Sequence, residues 1–159
     1  MKTRGLYDPA NEHDACGVGF VVDIKGRRSH AIVLQGLSVL TNLLHRGACG
    51  CEAATGDGAG ILVQTPDRFL RKVTSPLGIT LPPEGSYGVG IVFLPHAAET
   101  RDAVRGVVEA VIREEGQRLL GWRPLPTNDF LVGASARASE PVFEQVFIGS
   151  GAPVDVSDA

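Results

Sequence analysis

The sequence predicts a mixed α+β domain, and three patterns predict it. Two long stretches, residues 31–45 and 99–115, repeat apolar residues at helical steps. Short β-branched or aromatic runs recur at 18–24, 61–64, 87–94, 119–126 and 143–148. Between them lie stretches rich in Gly, Pro and Asp that carry neither period.

Taken in order, Val18, Phe20, Val22 and Ile24 alternate with Gly19, Val21 and Asp23, which is strand periodicity with one fully apolar face. Lys25-Gly26-Arg27-Arg28 follows as a turn, with Gly26 free to take positive φ. Ser29 can cap the helix over 31–45. There Val33, Leu37, Leu40 and Leu44 share a face that Ile32, Leu34 and Leu43 broaden, and Gly47 stands where a C-terminal cap belongs. Residues 50–60 read as loop and 61–64 as a short strand. Pro66 or Asp67 opens a short helix through Val73. Residues 74–86 carry Pro76, Gly78, Pro82, Pro83 and Gly85, and read as loop before the strand at 87–94. The helix over 99–115 gathers Val104, Val107, Val108, Val111 and Ile112 on one side, with Arg101, Arg105 and Glu109 among the solvated residues. Two strands, 119–126 and 143–148, close the pattern, and 149–159 reads as an untethered tail.

With 159 residues the chain can bury one real core. Its 43% hydrophobic and 21% charged residues are those of a soluble domain. A net charge of -3 without a basic run gives no electrostatic footprint for nucleic acid. No apolar run reaches the ~18–20 residues of a spanning helix. Asp8, Glu12, His13 and Asp14 break any signal-peptide pattern, so the expected location is the cytoplasm. Three cysteines, an odd number, argue against a pure disulfide framework. Cys49-Gly50-Cys51 leaves a redox or metal module open, but its spacing is C-x-C and no second pair exists.

The chemistry concentrates at Asp14-Ala15-Cys16-Gly17-Val18-Gly19-Phe20. Small residues beside the thiol leave room for a substrate. If the fifteen residues ahead of it were removed, Cys16 would carry both a nucleophilic sulfur and a free amine able to act as its base. The same residue reads equally well as a small buried apolar side chain. His45-Arg46-Gly47 is either a basic helix end facing the negative dipole or a site in which the Arg46 fork meets a carboxylate. Thr55-Gly56-Asp57-Gly58-Ala59-Gly60 fails the dinucleotide fingerprint, because Ile61 stands where the third glycine is required. A tight loop with left-handed positions is the better reading.

These stretches, with the leader Leu6-Tyr7-Asp8-Pro9-Ala10-Asn11-Glu12-His13-Asp14 and the later Glu144-Gln145-Val146-Phe147-Ile148, closely resemble the N-terminal glutamine amidotransferase domain of the glutamate synthase large subunit. The resemblance runs from about Leu6 to Gly149. It implies the four-layer α/β/β/α fold of N-terminal nucleophile hydrolases, here C-terminally incomplete. It implies a propeptide at 1–15, a partial class II domain at 16–149 and a disordered tail at 150–159. It implies that the Cys16 thiolate attacks the side-chain amide of glutamine, releasing ammonia and then glutamate, with Arg46 lining the substrate pocket. No cofactor is expected in this segment; FMN and an iron–sulfur cluster belong to the whole family enzyme. The expected partners are glutamine and the remainder of the large subunit or a complementing polypeptide, with no nucleic acid or membrane.

The family's oxyanion hole uses an Asn-Gly pair and its substrate clamp a later aspartate. This chain has no Asn-Gly; its asparagines are Asn11, Asn42 and Asn128. The expectation is therefore a glutaminase segment inactive on its own. Two alternatives stay open: a non-catalytic piece of a split or frameshifted gene working with a second polypeptide, and a different amidotransferase with an N-terminal cysteine.

Overall fold

The computed structural model describes residues 17–44 and 58–151. The elements are α1 (His30–Asn42), α2 (Asp67–Thr74), β1 (Tyr87–Leu94), α3 (Ala98–Glu114), β2 (Arg118–Pro124), α4 (Ala134–Ala138) and β3 (Val142–Gly149). They divide into two compact units. One holds the described residues up to Val63 with Val132–Ser135; the other holds Gln64–Leu131 and the residues from Ala136 onward.

The second unit is built on an antiparallel sheet of order β1-β3-β2, which makes the chain a mixed α and β protein. Tyr87 lies opposite Gly149 and Leu94 opposite Val142. On the other side Arg118 faces Gly149 and Pro124 faces Glu144, with a bulge between Leu119 and Gly121. As the middle strand, β3 needs apolar residues on both faces, and the adjacent pair Val146 and Phe147 supplies one to each. On the Phe147 face, Leu70 of α2 and Ile79 and Leu81 of the following loop pack with Tyr87, Val89 and Leu120. Gly121 is required there: a Cβ on it would stand 2.8 Å from Ile79 Cγ1.

A polar brace closes this core. The Tyr87 hydroxyl donates to Asp67 Oδ1 at 2.8 Å, and Arg71 Nε donates to Asp67 Oδ2 at 2.9 Å. Arg71 also donates to the Leu81 and Pro82 carbonyls, fixing the loop over the sheet. Burial, and then the bond to Asp67, push the Tyr87 hydroxyl up to about 12.

On the opposite face α3 turns Val104, Val108 and Ile112 of its expected apolar side inward, but is rotated so that Arg105 and Glu109 come with them. Val107 and Val111 are exposed, whereas Arg105 and Glu109 face the sheet. Arg105 pairs with the buried Glu144 in a forked contact, Nε to Oε2 being 2.8 Å, and its guanidinium lies 5.7 Å from the Trp122 ring centroid. Trp122 Nε1 donates to Glu109 Oε1 at 2.9 Å. Arg101 donates to the Pro95 and His96 carbonyls ahead of the helix. Glu144 and Trp122 supply partners that compensate for charge at the interface, which a purely apolar helix pattern does not encode.

The strands over 87–94, 119–126 and 143–148 and the helices over 67–73 and 99–115 all form within two residues of the expected bounds. The loop at 74–86 contains a single 3-10 turn, Ser75–Leu77, ended by Gly78 at φ 70°. The short helix α4 has no helical pattern in the sequence reading. The tail needs correction at its start. Gly149 is the buried end of β3, Ser150 N donates to the Ser86 carbonyl and Gly151 N donates to Gln117 Oε1.

Two expected strands do not form. Residues 17–29 and 58–66 contain no strand. Val18 and Ile24 are 92% and 98% exposed, and Leu62 is fully exposed. The alternation at 18–24 is real as a pattern of side-chain direction. A strand also needs a neighbour to complete its hydrogen bonds, and among the described residues none lies beside either run.

Candidate functional site

Three stretches carry the expected chemistry, and their reactive residues lie outside the described ones. These are Cys16; His45, Arg46, Gly47, Cys49 and Cys51; and Thr55, Gly56 and Asp57. The described residues show the frame on which those stretches are strung: the run that leaves Cys16, the helix that leads to Arg46, and the run that leaves Asp57.

The frame is α1. Ser29 caps it as expected, its hydroxyl accepting from Ile32 N at 3.4 Å. The turn before it is fixed by Asp23, which accepts from the backbone of Lys25 and Arg27 and takes both the Nε and Nη2 of Arg27, at 3.1 and 2.9 Å. The Arg27 fork, more than the backbone donors, holds the Asp23 carboxyl below its ordinary range. Gly26 takes φ 65° in that turn, the positive value its position predicts. Within the helix, Ser38 and Thr41 return their hydroxyls to the Leu34 and Leu37 carbonyls.

The face that α1 turns inward is the expected one in part: Ile32, Val33, Leu40 and Leu43 are half-covered, but Leu34 is not. Leu37 and Leu44 are exposed, and the half-covered stripe is Ile32, Gly36, Val39 and Leu43, flanked by Val33 and Leu40. Two close approaches explain the difference. A Cβ on Gly19 would stand 2.5 Å from Val39 Cγ1, and one on Gly36 would stand 2.8 Å from Ile61 Cδ1. Gly36 and Val39 are three residues apart and so share a face. One helical face therefore seats both the run three residues beyond Cys16 and the run four residues beyond Asp57. The available signal was Gly36, a glycine inside an otherwise helical pattern, which marks a close approach.

The two seats differ in tolerance. Ile61 meets Gly36 with the end of a flexible side chain, which can swing aside. Val39 meets Gly19 with a β-branched methyl that has little room to turn. Gly19→Ala is expected to destabilise this unit by about 2 kcal/mol through overpacking. Val39→Ala should recover most of that loss when combined with it. Denaturant unfolding of the two single variants and the double variant checks this; strict additivity would remove the seat.

Gly58 and Gly60 depart from expectation. Neither has positive φ, and a Cβ on either would meet nothing within 4 Å. This part of the loop is open rather than tightly turned. Among the described residues no group of three His, Cys, Asp or Glu side chains is placed to hold a metal ion, and no helix is long and apolar enough to cross a membrane.

Comparison with known proteins gives the family. The sequence pattern described as "Glutamine amidotransferases class-II" matches residues 16–158. The chain is 47% identical over 149 residues to the glutamate synthase [NADPH] large chain of Bacillus subtilis, covering 94% of this chain and 10% of that protein. It is 41% identical over 145 residues to the glutamate synthase [NADH] of Schizosaccharomyces pombe, covering 91% of this chain and 7% of that one. Against ferredoxin-dependent glutamate synthase 2 of Synechocystis the identity is 37% over 137 residues, 86% of this chain and 9% of that one. The chain thus spans a tenth or less of the length of these relatives.

Proposed function

This chain belongs to the class II glutamine amidotransferases, an enzyme family, and we propose that it is the glutaminase part of a glutamate synthase with Cys16 as its nucleophile. The observation that carries the reading is where the family pattern begins: residue 16, the cysteine itself, with fifteen residues ahead of it. Removal of residues 1–15 would leave the Cys16 sulfur and the new α-amine on one residue. The amine takes the thiol proton as the thiolate attacks the carboxamide carbon of glutamine. The C–N bond breaks, the amine returns the proton, and ammonia leaves. Water then cleaves the thioester to give glutamate and restore the thiol. Arg46 meets the substrate carboxylate with its two-pronged fork.

The described frame fits this assignment. The bare backbone of Gly19 makes room for Val39, and this seat holds the run that leaves Cys16 on the helix leading to Arg46. The antiparallel sheet with α3 across one face supports one sheet and one helical layer of a four-layer α/β/β/α arrangement. In this reading residues 16–149 are the amidotransferase segment. FMN, an iron–sulfur cluster and the step that consumes ammonia belong to the rest of a synthase, supplied by the same or a complementing polypeptide.

The test is to graft residues 1–149 into the matching region of the Bacillus large chain. We expect glutamine-dependent ammonia release, a mature protein lacking residues 1–15 by mass spectrometry, and loss of turnover in Cys16→Ala. Turnover that survives Cys16→Ala, or a leader retained at full activity, overturns the reading. The 159-residue chain alone is expected to release little or no ammonia, since it offers no Asn-Gly oxyanion pair. Steady release abolished by Cys16→Ala would overturn that part only.

A further inference from the structure

Gly36 stands in the middle of α1, where glycine costs helix stability relative to every residue but proline. Its neighbour in space is Ile61, whose Cδ1 would lie 2.8 Å from a Cβ at that position. The side chain that Gly36 lacks is space that Ile61 uses. Among the described residues the run around Ile61 is otherwise open. Leu62 is fully exposed, and a Cβ on Gly58 or Gly60 would meet nothing within 4 Å.

This seat anchors a span. Helix α1 ends at Asn42, so the chain leaves the helix about 9 Å along its axis beyond Gly36. It returns to the same helix at Ile61. Residues 43–60, Arg46 among them, are thus tethered to one helix at both ends. A segment held at one end has far more conformations open to it than a segment held at both.

We propose that Gly36 is a positioning residue for substrate binding: by admitting Ile61 it fixes the far end of the span that carries Arg46. This rests on the reading of Arg46 as the partner of the substrate carboxylate. An arginine fork makes its two bonds only when held in register with the carboxylate, so freeing one end of its span weakens binding. The carboxylate is not the reacting group, and its bonds are the same before and during attack on the side-chain amide. Their loss therefore raises KM and leaves kcat nearly unchanged. The Gly19–Val39 seat, which holds the run from Cys16, bears on the nucleophile and acts on kcat instead.

Steady-state glutaminase kinetics of the Bacillus large chain carrying residues 1–149 test it. Gly36→Leu, which fills the space that Ile61 uses, should raise KM for glutamine about tenfold, the worth of one charged hydrogen bond, with kcat within about twofold. Combining it with Ile61→Ala restores the volume and should return KM to near its starting value. Leucine is a better helix former than glycine, so a weakened helix does not account for the change. Ile61→Ala alone leaves α1 untouched and should also raise KM, whereas Leu62→Ala, at a fully exposed position, should not. Arg46→Ala should raise KM at least as far as Gly36→Leu. If Arg46→Ala leaves KM unchanged, the reading of Arg46 fails and takes the proposal with it. If Arg46→Ala raises KM while Gly36→Leu and Ile61→Ala do not, or while these two lower kcat instead, the proposal alone is overturned.

Discussion

Phe147→Ala is expected to cost the sheet unit about 4 kcal/mol, a large share of what holds a small domain folded. Phe147 is fully buried, and it sits in the middle strand against residues from three other stretches: Leu70, Ile79 with Leu81, and Tyr87. Truncation removes transfer energy and leaves a cavity whose walls are pinned. Arg71 fixes the loop bearing Leu81, and the Tyr87–Asp67 bond fixes β1 against α2. Walls held in this way cannot collapse inward, which places the cost in the upper part of the usual range. Phe147→Leu keeps most of the volume and should cost less than half as much. The chain's single tryptophan, Trp122, lies in the same unit, so its fluorescence in a denaturant titration follows that unit alone. A loss below about 1 kcal/mol would mean that the cluster is not the organising core.

The limits of the sequence reading follow from what periodicity encodes. The strand at 142–149 was legible because a middle strand is apolar on both faces, and Val146-Phe147 shows this directly. The Ser29 cap and the Gly26 turn were legible because each depends on a local backbone requirement. The runs at 18–24 and 61–64 have strand composition, but a ladder partner is a property of another segment. Helix α3 was placed correctly along the chain, α1 ends at Asn42 rather than 45, and each turns only part of its expected face inward. In α1 the missing information was that Gly19 and Ile61 would seat at Val39 and Gly36. In α3 it was that Glu144 and Trp122 on the sheet would receive Arg105 and Glu109. As for the site, Cys16 and Arg46 are read as residue types in a motif and lie outside the described residues. The seats at Gly19 and Gly36 appear only once two other runs are brought to one helix.

That rotation of α3 leads to the second large effect: Arg105→Ala should destabilise the sheet unit by about 3 kcal/mol. Glu144 is 3% exposed, and Arg105 takes both of its carboxylate oxygens while resting against Trp122. Its own partial exposure keeps the expected loss at the low end for breaking a buried pair, because water can reach the vacated space. The loss comes chiefly from stranding a carboxylate beneath a helix, not from the attraction forgone. This distinction can be measured. Replacing both partners, Arg105→Met with Glu144→Leu, removes the same attraction but strands no charge, and should cost under about 1 kcal/mol. Glu144→Leu alone leaves a guanidinium that can swing to solvent or to Asp102, 3.5 Å away, so it should fall between the two. If the double variant lost as much as Arg105→Ala, the pair would be contributing net attraction, and α3 would owe its orientation to charge. If it lost little, the apolar contacts of Ile112 and the Trp122–Glu109 bond suffice to seat the helix, and the ion pair serves to exclude the rotated alternative in which Val107 and Val111 face the sheet.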